Sequence, residues 1–183
     1  MRVYLAGPDV FLPDPLARAA ALKSVCSRHG LVGVSPLDTP DAVPDAWRAL
    51  PLPRFIALCN EAHIRACDVL IANLTPFRGP SADAGTIFEI GYMRALGRPV
   101  WGWSNVAADF FTRSGAAFGA EPSGVDQWRD RDGMLLEHFG LTDNLMIDGA
   151  MLAAGGAIFT GEVDRWRDLS VFERCVAAVA RSK

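Results

Sequence analysis

The chain has 183 residues, of which 50% are hydrophobic, and a net charge of −3, which fits one globular domain with a substantial core. No apolar run reaches the roughly 18 residues of a transmembrane helix, and no basic cluster suits nucleic acid. We therefore expect no membrane and no nucleic-acid partner. The N-terminus enters a strand pattern directly, which leaves no room for a signal peptide. The four scattered cysteines suit free thiols, so we predict a cytoplasmic protein.

The first third of the chain alternates strands and helices. Short apolar runs predict strands at Val3–Ala6 and Leu31–Val34, on either side of an amphipathic helix at Pro15–His29. Five prolines in Ser35–Pro53 predict a long loop or lid. Helical periodicity returns at Phe55–Ala66.

The alternation continues in the middle of the chain. Asp68–Leu74 has the length and composition of a buried parallel strand, and Pro99–Trp103 resembles it. Thr86–Leu96 between them has the pattern of a helix, and Leu169–Ala180 has the spacing of an amphipathic closing helix.

The region Asn105–Thr142 has the weakest pattern, since it is rich in Gly and Asp, and we predict there only a possible helix at Gln127–Phe139. Strands that alternate with helices predict an α/β protein, with a parallel sheet covered by helices on both faces. We expect a single domain over residues 1–183.

Two carboxylates follow the most apolar strand, at the edge where α/β proteins bind ligands. Asp83 lies in the loop and is a turn or cap residue on the simpler interpretation. Glu89 lies in the first turns of the next helix, where Thr86-x-x-Glu89 matches a capping box. Alternatively, the helix dipole keeps Glu89 ionised, and a carboxylate aimed into a cleft is a nucleophile toward an electrophilic sugar carbon.

Two other side chains also leave alternatives open. Tyr4 lies near the same edge, where its hydroxyl either reaches the site or makes one hydrogen bond in the core. Arg78 either lies in a solvated turn or clamps Asp83 or Glu89. The glycine motifs of dinucleotide and nucleoside triphosphate sites do not occur, and neither does the serine motif of hydrolase triads. We expect no cofactor and no metal.

Four segments together resemble the nucleoside 2-deoxyribosyltransferase family: Tyr4–Phe11, Asp68–Gly79, Ala82–Tyr92 and Asp143–Met146. The third is the most specific, because an Asp six residues before Glu-[Ile/Leu]-Gly is the core pattern of the family. The resemblance implies a flavodoxin-like, Rossmann-like three-layer sandwich with a five-stranded parallel sheet.

The resemblance also implies a mechanism by double displacement. Glu89 matches the nucleophile that attacks C1′ of a 2′-deoxynucleoside, so that the base leaves and a covalent deoxyribosyl-enzyme forms. A second base then attacks from the opposite side, as water does in retaining glycosidases. Tyr4 matches the residue that positions the nucleophile, and Asp83 matches the acid that binds the sugar 5′-hydroxyl.

The partners implied are small-molecule deoxynucleosides and nucleobases. The substrate-binding residues expected from the resemblance are Gly7, Phe11, Asn60, Arg78, Gly85, Asn144 and Met146. Asn144 and Met146 match residues that a neighbouring subunit donates, which implies a homo-oligomer, at least a dimer. The apolar stretch Ile147–Ala154 fits a subunit contact.

One departure bears on the chemistry of the base. Many members carry an aspartate near the base where this chain has Asn60, and an amide cannot protonate a leaving purine. The closest alternative activity is hydrolysis of 2′-deoxynucleosides or of their 5′-monophosphates by the same glutamate. Asp83 argues against the monophosphates, because it would repel a phosphate dianion. A non-catalytic nucleoside-binding module is the alternative of a different class.

Overall fold

The computed structural model describes residues 1–182 and contains a central sheet of five parallel strands. The strands are β1 (Arg2–Ala6), β2 (Val32–Val34), β3 (Val69–Asn73), β4 (Val100–Ser104) and β7 (Ile158–Thr160), in the spatial order β2-β1-β3-β4-β7. This is the flavodoxin-like order, so the predicted fold class is confirmed. The fifth strand has only three residues, too few for an apolar pattern to locate it in the sequence.

Helices cover both faces of the sheet. They are α1 (Pro15–Arg28), α2 (Asp45–Arg48), α3 (Leu52–Ala66), α4 (Ala84–Ala95), α5 (Phe110–Phe118), α6 (Leu145–Ala153) and α7 (Ser170–Arg181). Helices α1 and α7 supply the core on one face, and α3, α4 and α6 supply the core on the other. None of the helices among residues 1–182 is long and apolar enough to cross a membrane.

The alternation of side chains along β1 decides which residues face the helix α4. Val3 and Leu5 pack with α1 and α7, whereas Tyr4 and Ala6 pack with α3, α4 and α6. Successive side chains of a strand point to opposite faces, so a shift of one residue would remove Tyr4 from this layer. Tyr4 is fully buried on the face that carries α4.

The predicted helix at Gln127–Phe139 is wrong. Two short strands, β5 (Glu121–Gly124) and β6 (Gln127–Arg129), form an antiparallel hairpin that is followed by a turn. The Asp130 carboxylate accepts hydrogen bonds from the backbone N–H groups of Asp132 and Met134. Gly133 has a φ of 79°, which a helix does not allow. Local side-chain bonding therefore outcompetes the helix in this stretch.

Helix α5 was not predicted, although its ends carry recognisable signals. Asp109 caps it by accepting a hydrogen bond from the Thr112 backbone N–H at 2.8 Å, and Gly119 ends it with a φ of 87°.

The predicted loop Ser35–Pro53 is also partly wrong, because it contains α2 and because α3 begins at Leu52. Pro53 fits there, since proline is tolerated in the first turn of a helix.

Candidate active site

A hydrogen bond joins β1 to α4 at the candidate nucleophile. The Tyr4 hydroxyl donates to Glu89 Oε1 over 2.5 Å, and the two residues are 85 positions apart in the chain. Tyr4 is fully buried, whereas Glu89 is half-buried because it also borders a cavity. Tyr4 therefore satisfies both interpretations at once, since it is a core tyrosine whose single side-chain hydrogen bond reaches Glu89.

Glu89 does not cap its helix, so the capping-box interpretation is wrong. Helix α4 begins at Ala84 with Asp83 as N-cap, and Asp83 Oδ2 accepts from the Thr86 backbone N–H at 3.0 Å. Thr86 therefore lies in the first turn and is not the cap. The cap interpretation holds for Asp83, which leaves the Glu89 carboxylate available for another role.

The pKa of Glu89 is raised to about 7, mainly by burial; the hydrogen bond from Tyr4 lowers it and the negative charge of Asp83 raises it. At neutral pH the helix dipole therefore does not keep Glu89 fully ionised, because the loss of hydration raises its pKa to about 7. Burial and the adjacent Glu89 raise the pKa of Tyr4 far above its usual value. Tyr4 thus stays a neutral phenol that donates a hydrogen bond to the carboxylate.

A cavity of about 210 Å³ lies between α3 and α4, beside Glu89. Helix α3 contributes Asn60, Glu61 and Ile64, and helix α4 contributes Gly85 and Phe88. The structure thus brings the predicted residues Asn60 and Gly85 to the cavity of Glu89. Sequence reasoning missed Glu61 and Phe88, although each is adjacent to a residue that was singled out.

Gly7 lies at the carboxyl end of β1, packed against the end of β3. A Cβ atom at this position would lie 2.7 Å from Asn73 Cβ and 2.7 Å from Asp9 Oδ2, so only glycine fits. Asp9 is buried and accepts from Arg18 Nε at 2.7 Å and from Asn73 Nδ2 at 2.8 Å. This charged network was not predicted, and it ties β1, α1 and β3 together at the edge of the sheet.

Phe11 and Arg78 belong to an aromatic cluster. The rings of Phe11 and Phe77 stack with centroids 5.3 Å apart, and Trp166 meets Phe77 edge-on at 6.2 Å. The Arg78 guanidinium lies 5.1 Å and 4.6 Å from the centroids of Phe11 and Phe77. No ion pair joins Arg78 to Asp83 or Glu89 within residues 1–182, so of the two alternatives the structure shows the exposed turn and not the clamp. The guanidinium binds the aromatic faces instead.

Asn144 and Met146 lie away from the cavity of their own chain. Asn144 caps α6, since its Oδ1 accepts from the Met146 backbone N–H at 3.0 Å, and its Nδ2 donates to Glu137 at 2.5 Å. Met146 is 70% exposed and borders a groove of about 600 Å³ between α4 and α6. This segment is thus a turn that enters α6.

A second buried network fixes the loop that precedes the cap of α4. The Asp143 carboxylate accepts from Ser81 Oγ at 2.5 Å and from the Ala82 backbone N–H at 2.8 Å. Arg113 lies 3.7 Å from the same carboxylate and donates to Pro80 O and Thr142 O. Asp143 thus holds the two residues directly before Asp83.

All four cysteines are buried free thiols, as expected. Within residues 1–182, no group of three or more His, Cys, Asp or Glu side chains could hold a metal ion.

Known proteins resemble this chain both in sequence and in fold. A profile of the family described as nucleoside 2-deoxyribosyltransferase matches residues 3–146. A 2-desoxiribosyltransferase from Leishmania mexicana superimposes with a TM-score of 0.64 at 29% identity, over 98% of this chain and 97% of that one. A conserved protein from Enterococcus faecalis superimposes with a TM-score of 0.57 over 98% of each chain, at 20% identity, which supports the fold alone.

An uncharacterized protein of Schizosaccharomyces pombe is 29% identical over an alignment of 176 positions that covers 85% of this chain and 79% of the relative. The profile match includes β1, the Asp83–Glu89 segment and the start of α6, which together hold Tyr4, both carboxylates and Asn144. The chain therefore belongs to the nucleoside 2-deoxyribosyltransferase family.

Proposed function

We propose that the protein transfers 2-deoxyribose between the nucleobases of 2′-deoxynucleosides, through a covalent deoxyribosyl-Glu89 intermediate. The observation that carries this proposal is the Glu89 carboxylate, held by Tyr4 and bordering a cavity of about 210 Å³. A buried carboxylate with a raised pKa in a cleft is typical of a functional site. The family to which the chain belongs supports the same activity.

The reaction takes two displacements at C1′. In the first, a Glu89 carboxylate oxygen bonds to C1′ while the glycosidic C–N bond breaks. The electron pair of the C–N bond leaves with the base. In the second, a nitrogen of the incoming base attacks C1′ from the opposite face, and the electron pair of the ester bond returns to Glu89. Two inversions retain the configuration at C1′. Tyr4 holds Oε1, which leaves Oε2 for the sugar carbon.

Asp83 is proposed to bind the 5′-hydroxyl of the sugar. Its Oδ2 caps α4 through Thr86, which fixes the carboxylate and leaves Oδ1 to accept a hydrogen bond. Its negative charge raises the pKa of Glu89, after the larger effect of burial. A 5′-phosphate in this place would be repelled. The substrates are therefore nucleosides rather than their 5′-monophosphates.

Assembly is proposed to complete the site. Phe88 is 61% exposed beside the cavity, so a single chain leaves the intermediate open to water. On α6, Ile147 and Met151 are buried in the core of their own chain, whereas Met146 and Leu152 are 70% and 63% exposed. We propose at least a dimer in which this exposed apolar surface meets a second subunit, and in which Asn144 and Met146 close the neighbour's site.

The decisive experiment supplies deoxyinosine and adenine and follows the products by chromatography. Transfer predicts deoxyadenosine and hypoxanthine. Hypoxanthine without deoxyadenosine would indicate a hydrolase, which the exposed cavity of a single chain also allows. Binding without either product would indicate a non-catalytic module.

The covalent step has its own test. A slow 2′-fluoro deoxynucleoside should leave the sugar on the peptide that contains Glu89, detected by mass spectrometry. Glu89→Ala should lower turnover by about three orders of magnitude or more, because it removes the nucleophile. A folded Glu89→Ala protein with near-normal transfer would contradict the assignment.

A further inference from the structure

Glu137 joins the weakly patterned region Asn105–Thr142 to the start of α6. Its Oε1 accepts a hydrogen bond from Asn144 Nδ2 at 2.5 Å, and its Oε2 accepts one from the Leu145 backbone N–H at 2.8 Å. The ion pairs within residues 1–182 do not include Glu137. The dipole and the free N–H groups of a helix start favour a negative charge, so both carboxylate oxygens are committed to α6.

Different partners fix the two ends of the Asn144 amide. Oδ1 accepts from the Met146 backbone N–H, and Nδ2 donates to Glu137. Because the amide is planar, these two bonds define its plane and the direction of the second hydrogen on Nδ2. That hydrogen has no acceptor within the described residues. With the Met146 bond alone, the side chain would be free to turn about its oxygen end.

The residues on either side of Glu137 hold it in place. The Leu136 backbone N–H donates to Trp128 O at 2.9 Å, which ties the segment to β6. The ring of His138 lies 4.2 Å from that of Phe111 on α5, between centroids, and meets Trp128 edge-on at 6.1 Å. Helix α5 and the hairpin thus support the Glu137 carboxylate, and such support keeps a site residue in its productive geometry.

The Glu137–Asn144 pair lies outside the cavity of Glu89 in its own chain, since neither residue borders that cavity. It adjoins the exposed side chains of Leu145 and Met146 at the start of α6. The proposed assembly brings this surface to a second subunit. A carboxylate that orients Asn144 in that assembly affects the site that Asn144 reaches, which is the site of the neighbour.

We infer that Glu137 is a positioning residue for the site of the neighbouring subunit, because it orients the Asn144 side chain that closes that site against water. The region Asn105–Thr142 then has a defined role, as the support of the donated segment. This inference rests on the proposed function, in which Asn144 completes the neighbour's site. The alternative is a capping role alone, in which loss of Glu137 lowers the stability of α6 and leaves the reaction unchanged.

The first test is the partition of the covalent intermediate between transfer and hydrolysis, with deoxyinosine and adenine supplied. In hydrolysis a water oxygen bonds to C1′ in place of the base, the electron pair of the ester bond returns to Glu89, and the water proton leaves to solvent. Glu137→Ala should raise the ratio of free deoxyribose to deoxyadenosine about tenfold, the factor expected for one hydrogen bond to a charged group. Glu137→Gln should give a smaller rise, because it keeps one acceptor oxygen for two donors.

Glu162→Ala is the matched control. The Glu162 carboxylate also accepts from a backbone N–H of the region Asn105–Thr142, that of Ala107 at 3.0 Å. Within the described residues it makes no hydrogen bond to Asn144 or to α6. That variant should leave the ratio of hydrolysis to transfer and the kcat/KM for transfer unchanged. A change of the same size as in Glu137→Ala would show that general loosening of the region is the cause, and would overturn the inference.

Co-expression of two variants tests which site Glu137 serves. Each site takes Glu89 from one subunit and the Glu137–Asn144 pair from its neighbour. When Glu137→Ala and Glu89→Ala chains assemble at random, roughly a quarter of the sites contain both parts intact, so transfer should recover. When Glu137→Ala and Asn144→Ala chains assemble, no site receives an intact pair, so transfer should not exceed that of the variants alone.

Three results would overturn the inference: an unchanged ratio of hydrolysis to transfer in Glu137→Ala, no recovery with Glu89→Ala, or recovery with Asn144→Ala. If Glu137→Ala does not fold, as judged by circular dichroism, Glu137→Gln replaces it in each experiment. Failure of the proposed function is a separate result, namely no transfer of deoxyribose by wild type. Calorimetry with a slow 2′-fluoro deoxynucleoside then decides: Glu137→Ala should weaken binding about tenfold, and equal affinity, or no binding by wild type, would overturn the inference.

Discussion

The Tyr4 hydroxyl donates a 2.5 Å hydrogen bond to Glu89 Oε1, which joins the first strand of the sheet to the helix that carries the candidate nucleophile. The bond lowers the pKa of Glu89, whereas burial, the larger effect, and the charge of Asp83 both raise it, to about 7. The balance among these three effects determines how much of the reactive carboxylate is present at a given pH. The pH dependence of activity therefore reports the ionisation of Glu89.

We predict that kcat/KM rises with pH and levels off above pH 7, because only the ionised form of Glu89 is a nucleophile. Tyr4→Phe removes the bond that favours the ionised form, so it should move the midpoint to higher pH. Asp83→Asn removes a repelling charge and should move the midpoint to lower pH. The measurement is kcat/KM from pH 5 to pH 9. Shifts of the same sign in both variants would contradict the balance described above.

We predict that Glu89 lowers stability at neutral and basic pH. The folded protein binds its proton more tightly than the unfolded chain, where the pKa is near 4.5, so this contribution is present below pH 4.5 and is lost as the pH rises through 7. The shift corresponds to about 3 kcal/mol. Glu89→Gln, which keeps an acceptor for Tyr4, should be more stable than wild type at pH 8 and similar at pH 4.5. Urea unfolding at both pH values measures this, and a difference that does not depend on pH would contradict it.

We predict that Asp83→Ser shifts the substrate preference toward 5′-monophosphates. Serine removes the charge that repels the phosphate and retains a hydroxyl that can cap α4 through the Thr86 N–H. The ratio of kcat/KM for deoxyguanosine monophosphate to that for deoxyguanosine should rise about tenfold or more. Asp83→Glu, which keeps the charge, is the control and should not raise the ratio. Faster cleavage of the nucleotide than of the nucleoside by wild type would contradict the role of Asp83.

We predict that the inactive variants Glu89→Ala and Asn144→Ala recover activity when mixed. A mixed dimer contains one site with an intact Glu89 and an intact neighbouring Asn144. Since Asn144 also caps α6, its loss should cost about 1 kcal/mol of stability. Asn144→Ser keeps a cap and is therefore the matched control for folding. Sedimentation should give at least a dimer, and a monomer that still transfers deoxyribose would rule out the proposed assembly.

The sequence alone determined the alternation of strands and helices and the segment from Asp83 to Glu89, because these depend on patterns within a few residues. Apolar runs give strands, 3.6-residue periodicity gives helices, and both carboxylates lie in one β-α connection. Local hydrogen bonding also explains where the predicted pattern of helices fails. The side chain of Asp130 and the φ of Gly133 turned a stretch with helical composition into part of a hairpin region.

Only the tertiary structure decided what the site residues touch. The capping box and the Tyr4 contact compete for the same carboxylate, and the sequence could not choose between them because the Tyr4–Glu89 contact spans 85 residues. Burial likewise depends on the packing of distant segments, and it raised the pKa of Glu89 against the dipole argument. Asn60 and Glu61 on α3 border the Glu89 cavity because α3 packs against α4. No local pattern in either helix encodes that packing.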